Sequence, residues 1–140
     1  MHFNVPIGKY PKPNIISEEN IMLCHQALTK ADISVADYST IKPQAGDFVY
    51  LDPTYHSDND NPAFTQYSKT GFSDQDQLAL RDFVETLDRN GVKIMLSNSN
   101  TNMITNLYKD LNLKTIDAPR YVSCKGAGRK NVQEVVITNY

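Results

Sequence analysis

Apolar positions recur along this chain in two rhythms. Residues 48–51, Phe-Val-Tyr-Leu, form a short continuous run of aromatic and branched side chains. Such a run predicts a strand buried on both faces of a parallel sheet. Pro53 cannot donate to a ladder, so the strand stops at or just before it. Residues 92–96 make a second run and residues 33–36 a short third, with further strand candidates at 113–116, 121–123 and 134–138. Between them, Leu80, Phe83, Val84 and Leu87 share one helical stripe. That helix opens at Ser73-x-x-Asp76, a capping box with Asp for Glu, and ends at Asn90-Gly91. Ile104, Leu107, Tyr108 and Leu111 mark another helix capped by Asn100 or Thr101. Ile21, Cys24, His25 and Leu28 mark an earlier one, from Ser17 to about Thr29. Strand–helix–strand alternation followed by a hairpin predicts an α/β fold with a mostly parallel sheet. The hairpin, formed by 121–123 and 134–138 around a loop at 126–130, is expected to be antiparallel at one sheet edge.

The polar stretches divide the rest. Residues 1–16 carry Pro6, Pro11, Pro13 and Gly8 and are expected to be extended. Residues 42–46 make a turn into the first strand, and residues 56–71 form a long polar loop without period. At 140 residues the chain is expected to be a single domain, 1–140, with enough length to bury a core. No apolar run reaches the roughly 18 residues that span a bilayer, and no secretory signal opens the sequence. Cys24 and Cys124 lack metal-ligand spacing, so a reduced, cytoplasmic protein without a structural metal is expected, with Cys24 and His25 buried or half-buried. The formal net charge of −2 is unusual for a free-standing DNA binder, but Lys125, Arg129 and Lys130 cluster near Gly126 and Gly128, where the backbone could approach a phosphate.

The chemistry concentrates at Asp52-Pro53-Thr54-Tyr55, at the carboxyl end of the first strand, where open α/β sheets bind their ligands. An acid, a proline carbonyl and an aromatic face suit a planar base with an exocyclic amine. Such an amine is a poor nucleophile because its lone pair is delocalised into the ring. If its two N–H groups donate to Asp52 and to the Pro53 carbonyl, the nitrogen is drawn towards tetrahedral geometry and its lone pair is freed. Tyr55 would stack on the ring. A base in a duplex must first be flipped out, at a few kcal/mol. A stack of about 1–3 kcal/mol and a charged hydrogen bond of about 1.5–3 kcal/mol roughly balance that cost.

Four blocks in order resemble the DNA adenine methylase (Dam-like) family, the alpha group of adenine amino-methyltransferases, in its carboxyl-terminal catalytic half. The first is Phe3-Asn4-Val5-Pro6-Ile7-Gly8-Lys9-Tyr10, like the segment that closes the family's target-recognition region. The second is Asp37-Tyr38. The third is Asp52-Pro53-Thr54-Tyr55 with Phe64-Thr65-x-Tyr67 and Gly71-Phe72. The fourth is Ser97-Asn98-Ser99 with Arg120 and the stretch from Gly128-Arg129 to Asn139-Tyr140. The resemblance implies S-adenosylmethionine as methyl donor, with Asp37, Tyr38 and Asp52 on the donor side and Asp52, Pro53 and Tyr55 as catalytic residues. It implies double-stranded DNA as substrate, with Lys9, Tyr10, Lys125, Arg129 and Lys130 as candidate contacts. The long polar loop at 56–71 beside the site is expected to order over the flipped base or the DNA backbone, with plain disorder as the alternative.

Two features depart from the family. Thr54 stands where a second proline is usual, although the acid, the carbonyl and the ring are kept. No glycine-rich donor-binding turn precedes an apolar helix, so the chain is expected to begin after the half that carries it. The partial Rossmann-like sheet would then lack its amino-terminal donor-binding strands and expose residues 48–51. A separate amino-terminal half or a second copy of the chain is the expected cover. The alternatives are a catalytically inactive truncated remnant that binds DNA or a partner, and an enzyme of the same class acting on a cytosine amine or a protein amide.

Overall fold

The computed structural model describes residues 16–57, 72–118 and 132–140. The chain divides into two compact units at the Asp37–Tyr38 bond. In the first, helix α1 spans Glu18–Leu28, close to the predicted bounds. Ser17 occupies its N-cap position without a side-chain capping hydrogen bond. Ile21, Met22 and Leu23 are consecutive, so they point around the cylinder rather than along one stripe, and all three stay more than half exposed. Cys24 and His25 are exposed as well, not buried as expected. Residues 33–36 form no strand: Ile33 and Val35 are exposed and nothing among the described residues pairs with them.

The second unit holds the sheet. A 3-10 turn at Tyr38–Thr40 leads to strand β1, Phe48–Leu51. Helix α2 (Asp74–Arg89), strand β2 (Lys93–Ser99), helix α3 (Asn102–Leu107), strand β3 (Asn112–Ala118) and strand β4 (Val132–Thr138) follow. The strand order is β1-β2-β4-β3. β1 pairs with β2 in parallel, whereas β4 is antiparallel to both β2 and β3. The α/β expectation holds, but the described sheet is mixed rather than mostly parallel, because β4 inserts between β2 and β3. The full-length partner of β4 is β3, from Asn112 opposite Thr138 to Ala118 opposite Val132. The expected strand at 121–123 and the loop at 126–130 lie outside the described residues.

Helix α2 forms as its sequence dictates. Ser73 accepts from the Asp76 amide while Asp76 returns a bond to the Ser73 amide at 2.7 Å, which closes the capping box. Gly91, at φ +73°, takes the left-handed conformation that terminates the helix, and its carbonyl accepts from the Gly46 amide at 3.0 Å. That bond joins the turns preceding β1 and β2, so the two parallel strands start in step. Asn139 fixes the same end: its Oδ1 accepts from the Ile94 amide at 2.8 Å and its Nδ2 donates to the Val92 carbonyl at 2.9 Å. Leu80, Val84 and Leu87 of α2 pack with Ile94, Leu96, Ile104, Tyr108, Val135 and Ile137 in the core.

The burial of β1 differs from the expectation. Only Leu51 is buried, and Phe48 and Tyr50 are each 55% exposed. Among the described residues β1 pairs on one side alone, so it is an edge strand and not one enclosed on both faces.

Candidate active site

β1 delivers Asp52 and Pro53 beyond its last ladder position, next to the carboxyl end of β2, because the two strands run parallel from Phe48 opposite Lys93 to Leu51 opposite Leu96. Ser97 therefore faces Asp52, and its Oγ donates to Asp52 Oδ1 at 3.0 Å. A carboxylate only accepts, so the single serine hydrogen is committed there. The Tyr50 hydroxyl, 3.0 Å from the same Oγ, is then the donor in that pair. One serine thus ties the acid to the Tyr50 ring, and its hydroxyl acts on Tyr55 as well. Burial holds the Tyr55 hydroxyl above its usual pKa against the opposing Ser97 bond, and the negative charges of Glu134 and Asp52 push the same way, so Tyr55 is a neutral phenol at pH 7.

Asp52 is exposed while Pro53 and Tyr55 are half-buried, an arrangement open to an incoming planar group. Behind Asp52 lies a cavity of about 180 Å³ lined by Tyr38, Tyr50, Leu51, Asp52, Pro53, Phe72 and Leu80. Its walls are mostly rings and aliphatic chains with one carboxylate at the rim, a lining that fits an aromatic heterocycle. The Tyr38 ring meets Phe83 of α2 edge-on at 5.3 Å between centroids, which sets its orientation in that wall.

Beneath the loop after Asp52, two buried carboxamides replace apolar packing. Gln77, from the first turns of α2, is 1% exposed and Asn98, from β2, 0%. Gln77 Nε2 donates to the Thr54 carbonyl at 3.0 Å, and Asn98 Nδ2 donates to Gln77 Oε1 at 3.1 Å. Asn98 Oδ1 accepts from the His56 amide at 2.9 Å and from the Ser99 amide at 2.8 Å. The His56 ring lies between Thr101 Oγ1, 2.9 Å from Nδ1, and the Asp74 carboxylate, 3.5 Å from Nε2.

The structure thus brings Tyr38, Asp52, Pro53 and Tyr55 into one neighbourhood. Asp37 falls across the unit boundary from Tyr38. Lys9, Tyr10, Lys125, Arg129 and Lys130 lie outside the described residues, as do Phe64, Tyr67 and Gly71. Gln77 and the carboxylate bond of Ser97 were missed from sequence. The signal for Gln77 was its place on the α2 stripe, three residues before Leu80 and seven before Val84, where a polar residue needs a partner.

Over residues 1–122 the chain matches the family described as D12 class N6 adenine-specific DNA methyltransferase. It is 39% identical over 142 residues to the Type II methyltransferase M1.LlaDCHI of Lactococcus lactis, covering 99% of this chain and 50% of that protein. The Type II methyltransferase M.MjaIII of Methanocaldococcus jannaschii is also 39% identical over 142 residues, covering 99% of this chain and 49% of its own. The DNA adenine methylase of Vibrio cholerae is 34% identical over 137 residues, covering 96% and 49%. The chain spans about half the length of these curated relatives.

Proposed function

This chain belongs to the D12 class N6 adenine-specific DNA methyltransferase family, and from that membership we propose that it is the catalytic half of a site-specific DNA adenine methyltransferase. The observation that carries the reading is the Ser97-held Asp52 carboxylate, exposed beside Pro53 and the neutral Tyr55 ring. In this reading Asp52 and the Pro53 carbonyl accept the two hydrogens of a flipped adenine's amine, and Tyr55 stacks on its ring. The amine lone pair is then localised for attack, and Asp52 is placed to take the proton that the methylated nitrogen must lose. S-adenosylmethionine, when bound, supplies the electrophilic methyl. The aromatic cavity behind Asp52 fits its adenine ring, with Tyr38 and Phe72 as walls and Asp37 and Tyr38 as the contacts the resemblance assigns.

Duplex DNA is the substrate in this reading, with Lys9, Tyr10, Lys125, Arg129 and Lys130 on the backbone. In this reading the side of β1 that pairs with no described residue is covered by a second copy or by a polypeptide carrying donor-binding strands. The decisive test is a calorimetric titration with S-adenosylmethionine beside an Asp37→Ala control, followed by transfer of labelled methyl to DNA lacking adenine methylation, with the products separated as nucleosides. Saturable binding weakened by the substitution, with label in N6-methyladenosine, supports the proposal. A folded chain that binds no donor favours instead a remnant that binds DNA or a partner, and label on cytosine would reassign the substrate.

A further inference from the structure

We infer that Gln77 and Asn98 are positioning residues whose task is to fix the backbone of Tyr55 and so aim its ring. Two peptide planes flank the Tyr55 α-carbon. The plane before it contains the Thr54 carbonyl, which accepts from Gln77 Nε2 at 3.0 Å. The plane after it contains the His56 amide, which donates to Asn98 Oδ1 at 2.9 Å. Because a peptide is planar, holding both planes fixes the two soft dihedrals of the residue between them. The direction of the Tyr55 Cα–Cβ bond follows from those dihedrals.

The two carboxamides are not independent anchors. Asn98 Nδ2 donates to Gln77 Oε1 at 3.1 Å, so each orients the other and the flip state of both is set by the chain of bonds. Both side chains are almost wholly buried, which makes any misaligned rotamer expensive: it would leave an amide without partners away from water. The anchors also come from rigid elements. Gln77 directly follows the capping box of α2, and its own amide donates to the Ser73 carbonyl at 3.0 Å. Asn98 sits within the ladder of β2 and β4, opposite Val135. A loop on the carboxyl edge of the sheet is thereby tied to a helix and a strand at once.

Polar groups so deeply placed are costly unless they serve something that apolar packing cannot. Leucine at both positions would fill comparable space, but would leave the Thr54 carbonyl and the His56 amide unheld. The clamp therefore accounts for Gln77 on an otherwise apolar stripe, and for the middle residue of Ser97-Asn98-Ser99. Ser97 points to the acid and Asn98 to the backbone beneath the ring. Thr54 fits the same scheme, since the clamp holds its carbonyl and a proline would present the same group.

The inference rests on Tyr55 being the residue that stacks the target base, and its test separates the two claims. In the full chain, the variants Gln77→Leu and Gln77→Glu are compared with the natural protein by amide hydrogen exchange at His56 and by the coupling constant that reports the Tyr55 φ angle. Methyl-transfer kinetics use adenine-unmethylated DNA and S-adenosylmethionine. For Gln77→Leu the expected result is exchange at His56 at least about tenfold faster, an averaged Tyr55 coupling, and a KM for DNA raised about tenfold with the donor KM within twofold. Gln77→Glu restores the clamp only at acid pH, where the buried carboxyl is protonated and can donate to the Thr54 carbonyl. Its Tyr55 coupling is therefore expected to return to the natural value as pH falls, which a merely space-filling role would not produce. If Gln77→Leu does not fold, the pH titration of Gln77→Glu decides alone. Unchanged exchange and coupling in these variants would overturn the clamp. A released Tyr55 with an unaltered KM for DNA would overturn its role in aiming the ring. An inactive natural protein would count against the methyltransferase reading, while the exchange and coupling results would still decide the clamp.

Discussion

At the scale of single residues, Asp52 and Ser97 can be told apart by what each leaves behind. Asp52 is exposed, so its removal creates no cavity and strands no buried charge. Asp52→Ala should leave thermal stability within about 1 kcal/mol while lowering methyl transfer at least about 100-fold, the loss expected when a charged hydrogen bond to the reacting amine disappears. Melting curves beside single-turnover transfer check both halves, and retained transfer would remove Asp52 from the mechanism. Ser97→Ala keeps the carboxylate but frees it to rotate and deprives the Tyr50 hydroxyl of its acceptor. Transfer should fall about tenfold, with stability lower by about 1 kcal/mol. If Ser97 acts through Asp52, the double variant should be no slower than Asp52→Ala alone, whereas multiplying losses would mean independent roles.

At the scale of elements, helix α2 is the part whose sequence and structure agree most closely, and the reason is local. Its capping box, its apolar stripe and its glycine stop all lie within four residues of what they act on. The cap also carries a pH signature. The Ser73 hydroxyl and amide bonds hold the Asp76 carboxyl below its ordinary value of 3.8. A depressed folded-state pKa adds stability above the unfolded value and loses it as pH falls through the folded one, so this support is complete above about pH 5 and fades below 3.8. Ser73→Ala should cost about 1 kcal/mol near neutrality and flatten acid unfolding in that window, as read by circular dichroism. Deeper in the core, Leu96→Ala, at a site with 0% exposure, should cost about 2–5 kcal/mol in denaturant titration. Elements defined by distant partners were harder to read. The run at 33–36 is β-prone but has no strand beside it among the described residues, and propensity without a partner makes no ladder. The insertion of β4 between β2 and β3 depends on pairing across the chain, which no local pattern specifies. The Asp-Pro-x-Tyr loop was legible because its chemistry is contiguous, whereas the Gln77–Asn98 clamp joins residues 21 positions apart.

For the whole molecule, the two edges of the described sheet are built differently. β3, at one edge, carries Lys114 and Asp117, charges that discourage further pairing. β1, at the other, reads Phe-Val-Tyr-Leu with no charge, and the exposed rings of Phe48 and Tyr140 lie edge-on at 6.4 Å between centroids. A short apolar strand with one side unpaired among the described residues, and with solvent-facing rings, is a template for another strand. The position of Asp52 makes the same point from the functional side, since the loop it occupies leaves this edge strand, and whatever pairs there becomes the neighbour of the candidate site. The chain at tens of micromolar is therefore expected to self-associate in sedimentation velocity. Phe48→Lys, which places a charge at the edge while keeping the Tyr50–Ser97 bond intact, should return it to monomer without loss of secondary structure. If another polypeptide supplies a strand at this edge, its addition should dissolve the self-association of the natural chain and leave Phe48→Lys unresponsive. A natural chain that sediments as a monomer at all concentrations, alone and unmodified, would show that this edge needs no cover.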